Sequence, residues 1–173
     1  VKNNKILILL LLLCFTLPVV GYGQRMDPKE NSVYIYNFIK YTSWPKKKNT
    51  VVVGIIGNTP LENELQKLFS RKTNQGVGYL VKKISLHEAR NADVILVAAD
   101  ASDQLKELNQ QTYQLPILII SEKEGMGRAG ACICFFLDEE NDYKTGYQLS
   151  VRNIHARGLK VNEQILNNAV LIR

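Results

Sequence analysis

The chain has 173 residues, 46% of them apolar and 22% charged, with a formal net charge of +6. That is a globular composition, which excludes disordered and collagen-like classes. The length accommodates one domain of ordinary size plus a short appendage.

The appendage comes first. Val1-Lys2-Asn3-Asn4-Lys5 is a basic start, Ile6 to Val20 carries no charge, and Gly21-Tyr22-Gly23 supplies small residues around a cleavage position. This is the pattern of a secretory signal peptide over residues 1–23. The uncharged run is short of the roughly 20 residues of a bilayer span, and Pro18 lies near its end, which argues against a permanent anchor. Cys14 sits inside the apolar run behind Leu12-Leu13, a poor context for lipidation. Loss of Lys2 and Lys5 leaves 20 basic against 16 acidic residues, a net charge of +4. An exported chain with so small an excess is a poor match for nucleic acid, and the cleaved chain is expected not to be membrane-inserted. The basic run Lys46-Lys47-Lys48 reads as a solvated loop.

Residues 24–173 read as one domain without linker or repeat. Asp27-Pro28-Lys29-Glu30 predicts a helix start, with an aspartate to cap, proline in the first turn and an acid after it. The helix runs to Tyr41 and stops before Trp44-Pro45. Thr50 to Gly57 is a β-branched strand, and Leu61 to Phe69 has helical spacing. A half-buried strand over 78–84 and a short helical piece over 86–90 follow. The continuous apolar run 93–99 suits a strand covered on both faces. Residues 102–110 are helical and 115–120 form another buried strand. Segments 131–137 and 143–151 read as two strands around the acidic loop 138–142, and 162–171 as a final helix. The expectation is an α/β fold: a three-layer, Rossmann-like or flavodoxin-like mixed sheet with a parallel core, a C-terminal antiparallel hairpin and helices on both faces.

Two motifs invite chemistry. Gly125-Met126-Gly127-Arg128-Ala129-Gly130 has the spacing of a dinucleotide loop. Such a loop needs a strand directly before it and a helix directly behind it; here Glu122 and Glu124 intervene and a β-prone segment follows. It reads as a connection, with no nucleotide and no other cofactor expected. Cys132 and Cys134 are the cysteines left after cleavage. At i and i+2 in a strand they would share a face with Cα atoms about 6 to 7 Å apart, at the upper edge of disulfide geometry. Two packed thiols, a strained redox pair, or a metal site completed by His155 all stay open. His87 and His155 read as surface or edge residues, and no catalytic constellation is present, so no enzyme activity is expected.

The phrase Ile35-Tyr36-Asn37-Phe38-Ile39-Lys40-Tyr41-Thr42-Ser43-Trp44-Pro45 is the most specific in the chain. Together with Val53 to Leu61 (VGIIGNTPL), Asn91 to Val97, Gly158-Leu159-Lys160 and Gln164-Ile165-Leu166, it resembles the YfiR/HmsC-like periplasmic proteins over most of residues 29–171. The resemblance implies a non-enzymatic periplasmic regulator that binds the periplasmic portion of a membrane diguanylate cyclase and holds it inactive until an envelope signal relieves it. Cyclic-di-GMP signalling, envelope stress and biofilm control come with that implication. Two departures stand out: Asn91-Ala92-Asp93 lacks the cysteine that the family often carries before its central strand, and Ser150 stands where the family tends to have asparagine.

Partner contact is expected at the aromatic end of the first helix, Phe38, Tyr41, Trp44 and Pro45, because Trp and Tyr are enriched at interface hot spots. A sensor histidine kinase is the alternative partner, and a homodimer is left open. A second reading is a small-ligand module, its site at the carboxyl ends of the parallel strands around Gly57-Asn58-Thr59 and Ala99-Asp100.

Overall fold

A computed structural model describes residues 26–72 and 76–172. The expected signal peptide, residues 1–23, lies outside the described residues. Asp27 caps helix α1 (Pro28–Lys40), its carboxylate accepting from the Lys29 amide at 2.9 Å, with Pro28 in the first turn. Strand β1 (Thr42–Ser43) follows directly, then β2 (Thr50–Ile56), α2 (Leu61–Phe69) and β3 (Gly78–Lys83). A 3₁₀ segment, Leu86–Asn91, leads to β4 (Val94–Val97). A second, Ala99–Gln104, runs into α3 (Leu105–Gln111), and β5 (Leu118–Ser121) ends the series. The chain continues through a 3₁₀ turn, Met126–Ala129, into β6 (Ile133–Asp138), β7 (Lys144–Ser150), α4 (Val151–Ala156), β8 (Lys160–Val161), α5 (Glu163–Leu166) and β9 (Val170–Ile172).

The main sheet has seven strands in the order β3-β2-β4-β5-β6-β7-β9. From β3 to β6 all neighbours are parallel, β6 and β7 are antiparallel, and β9 returns parallel to β7. Numbered within the parallel core, the order is 2-1-3-4-5, the flavodoxin-like arrangement. The continuous apolar runs resolve into two faces by strand alternation. Val94, Leu96, Leu118 and Ile120 join α1 and α2 in one core cluster. Ile95, Val97, Ile117 and Ile119 join Leu105 and Leu108 of α3 in the other. The three-layer mixed sheet with a closing hairpin is therefore observed.

Three elements depart from expectation. The strand expected to run to Val151 ends at Ser150, whose hydroxyl accepts from the Asn153 amide at 3.3 Å and caps α4, a short helix that the sequence pattern does not predict. The expected helix over 162–171 is a single turn, Glu163–Leu166, after which Val170–Ile172 pairs with Gln148–Ser150 as the seventh strand. Ile165, Leu166 and Ala169 sit at helical spacing, but an open edge on β7 captures the β-branched tail and overrides local propensity. Thr42–Ser43 pairs antiparallel with Lys160–Val161, tying the end of α1 to the C-terminal region. So short a ladder carries no periodicity to read.

Candidate functional site

The aromatic phrase places its residues in different environments. Phe38 is 1% exposed, its ring 4.8 Å from that of Tyr147 and 5.8 Å from that of Phe135. It is a core residue under the sheet whose side chain leaves almost no surface for a partner, which corrects its assignment as a contact. Helical spacing puts Phe38 on the inward face with Ile35 and Ile39, both buried. Tyr41 is half-buried with the Lys40 ammonium 5.0 Å from its ring centre. Trp44 is also half-buried, and its indole Nε1 is a buried donor with no acceptor among the described residues. Pro45 is exposed. The Thr42 hydroxyl donates to the Phe38 carbonyl at 2.7 Å, which turns the chain out of α1 towards Trp44. A groove of about 390 Å³ runs beside this region, lined by Tyr34, Asn37, Tyr41, Tyr147, Gln164 and Asn168 among others. Tyr41 is thus on a concave face shared by α1, β7 and α5.

The crevice at the carboxyl ends of β2 and β4 is closed by the protein's own polar groups. The Asn58 backbone amide and side-chain nitrogen each donate to Asp100 at 3.0 Å, and the Lys83 ammonium donates to the Asn58 side-chain oxygen Oδ1 at 2.9 Å. These bonds hold the Asp100 carboxyl below the usual aspartate range. Glu122 accepts from the Thr59 hydroxyl and from the Ala99 amide. Burial nevertheless pushes the Glu122 carboxyl up from 4.5, because its two donors compensate desolvation only in part. The position where a flavodoxin-like fold receives a phosphate is thus occupied by two carboxylates, which disfavours an anionic ligand there. The ligand site expected around Gly57-Asn58-Thr59 and Ala99-Asp100 gains no support.

The glycine segment is a short 3₁₀ turn between β5 and β6 with no helix behind it, as the connection reading requires. Glu122, which precedes the turn, accepts from the Thr59 hydroxyl and so faces away from the glycines. Glu124 accepts from the Gln148 side-chain nitrogen at 2.9 Å. The turn forms one wall of a cleft of about 750 Å³ between α3, the 3₁₀ turn, α4 and β9. Arg128, Arg152 and Arg157 all line this cleft. They come from the turn, from α4 and from the residue that caps the end of α4. Arg152 and Arg157 lie close together in the chain, but Arg128 comes from a separate segment before β6, and no motif joins it to them.

Cys132 and Cys134 are free and fully buried. Burial pushes both thiols up, Cys134 to about 11, so neither is poised as a thiolate nucleophile. Cys132 joins the core cluster on the α1 side and Cys134 the one on the α3 side. The expected shared face does not materialise: Cys132 lies just before β6 and packs with Ile133 and Phe135, whereas Cys134 packs on the opposite side. Among the described residues no group of three or more His, Cys, Asp or Glu side chains could hold a metal, and His87 and His155 are exposed. No helix among the described residues is long and apolar enough to cross a membrane.

Comparison with solved structures recovers the fold. A conserved domain protein from Vibrio cholerae O1 biovar El Tor superposes with a TM-score of 0.55 at 10% identity, over 86% of this chain and 60% of that one. The ABC domain from Streptococcus pneumoniae, solved in complex with L-Trp, gives 0.53 at 10% identity, over 84% and 60%. The chain thus spans about 60% of the length of either protein, and identity at this level speaks to fold alone. No curated protein matches. A family model does match, over residues 29–170, and its span takes in the Tyr36–Pro45 phrase, the parallel core, the closing hairpin and the start of the seventh strand. On that match the chain belongs to the YfiR/HmsC-like family.

Proposed function

We propose that this chain is an exported, non-enzymatic regulator that binds the periplasmic domain of a membrane-bound diguanylate cyclase and restrains it until an envelope signal intervenes. The observation that carries this reading is the family match over residues 29–170. An exported protein reaches cytosolic chemistry only by biasing the conformations of a membrane partner, which requires different affinities for two partner states. A cleaved leader over residues 1–23 and a single domain over 24–173 are part of the proposal. Tyr41, Trp44 and Pro45 are the proposed contacts. They present partly exposed aromatic and apolar surface, and Tyr41 lines a groove; a few such anchors dominate binding energy at interfaces.

Affinity purification of the tagged chain from solubilised membranes of the native host tests the reading. A diguanylate cyclase should co-purify, and deletion of the gene should raise cellular cyclic-di-GMP. Recovery of a sensor histidine kinase in its place, with cyclic-di-GMP unchanged, would favour the alternative partner. Recovery of neither would overturn the proposal.

A further inference from the structure

The cleft beside the glycine turn has a one-sided charge. Its described lining contains three arginines and no aspartate or glutamate. Arg157 is only 4% exposed, yet among the described residues its guanidinium meets no carboxylate: it donates to the Thr112 carbonyl at 3.0 Å and to the Asn109 side-chain oxygen at 2.7 Å. A buried cation held by neutral acceptors leaves its positive field uncancelled. Arg128 and Arg152 are exposed and make no ion pair or hydrogen bond among the described residues. Glu124 is the nearest acid along the chain to the turn, and it accepts from Gln148, a lining residue whose own carbonyl oxygen accepts from the Gly125 amide at 3.2 Å. Asn153 donates to the Gly127 and Ala131 carbonyls, both at 2.7 Å, which pins the turn against α4 and fixes the walls that carry Arg128 and Arg152.

We infer that this cleft binds a soluble small molecule bearing a phosphate or carboxylate group, with Arg128 and Arg152 as its direct ligands. Arg157 acts through its charge and by positioning the wall, since its donors are engaged with Asn109 and Thr112. Arginine suits the role because its planar fork matches the geometry of either oxyanion. The volume, about 750 Å³, lies in the range of small-molecule sites. The site is separate from the carboxyl ends of the parallel strands, where Asp100 and Glu122 disfavour anions, and it does not depend on the identity of the protein partner.

The test titrates the purified chain, without its leader, with inorganic phosphate and with citrate at an ionic strength held constant by chloride. Calorimetry reads the affinity and amide NMR reads the location. At least one anion should bind saturably, with shifts concentrated at Gly125–Gly130 and at residues 150–153. Arg128→Gln and Arg152→Gln should each weaken binding about tenfold or more, as expected for loss of one charge-assisted contact. Lys46→Gln/Lys47→Gln should leave it unchanged. Both arginines are exposed, so each variant is expected to fold, and an unchanged thermal midpoint verifies this. Absence of saturable binding by both anions would overturn the inference. So would equal loss in the lysine variant, which would signify diffuse attraction, or retention on phosphatidylglycerol vesicles with no binding of the free anions. Cyclase co-purification is measured independently, so its failure would leave this result standing.

Discussion

Buried polar residues carry the sharpest consequences at the residue scale. Arg157 joins the end of α3 to the end of α4 through Thr112, Leu115 and Asn109. Arg157→Ala would strand these acceptors in a buried setting and should destabilise the fold by about 2–4 kcal/mol in urea unfolding, with Arg157→Lys intermediate because an ammonium reaches fewer of them. Glu122 behaves oppositely to a salt-bridged acid. Its folded-state pKa lies above 4.5, so its contribution is fully present below the unfolded value and is lost as pH rises through the folded one. A carbon-detected NMR titration should place its midpoint above 4.5; a midpoint below that value would show that the Thr59 and Ala99 bonds outweigh burial. The two buried thiols should be inert to Ellman's reagent in the native state at pH 8 and react once the chain is unfolded in denaturant. Rapid native reaction of either would contradict the raised thiol pKa values.

Among the elements, the glycine turn shows how backbone geometry, and not a ligand motif, explains a spacing. Gly125 sits at φ +74° with open space around the position of a Cβ. Gly130 sits at φ +116°, and a Cβ there would lie 2.3 Å from the Asn109 side chain. Gly125→Asn should therefore cost less than about 1 kcal/mol, since Asn tolerates the left-handed region, whereas Gly130→Ala should cost about 2–4 kcal/mol through strain and displacement of Asn109. Comparable thermal midpoints for the two variants would refute this account of the turn. The C-terminal elements teach a related lesson. Ser150 ends a strand and caps a helix in one residue, and Val170–Ile172 becomes a strand only because β7 has an unpaired edge to offer.

For the whole molecule, the proposed role needs a partner-facing surface that can be altered without loss of the fold. Trp44 and Tyr41 are half-buried and sit outside the aromatic packing of Phe38 with Phe135 and Tyr147. Trp44→Ala combined with Tyr41→Ala should keep a cooperative unfolding transition while weakening capture of the cyclase at least tenfold. Phe38→Ala should instead destabilise the fold by about 3–5 kcal/mol, the usual cost of emptying a buried aromatic site. Undiminished capture by the double variant would move the interface elsewhere on the molecule.

The sequence by itself determined the layered α/β class, the α1 start at Asp27-Pro28, the parallel core and the closing hairpin. Hydrophobic periodicity and capping chemistry are local, and they persist wherever the segment packs. The Tyr36–Pro45 phrase likewise carried the family, because its order along the chain is itself the signal. Tertiary structure alone decided that Cys132 and Cys134 pack into different core clusters and that the tail from Val170 is a strand. It also decided that Asp100 and Glu122 meet at the strand-end crevice, bonded to Asn58, Thr59 and Ala99. Arg128, Arg152 and Arg157 become one cleft only when α4 folds back beside the glycine turn, since charge converges through long-range packing that no short window of residues encodes.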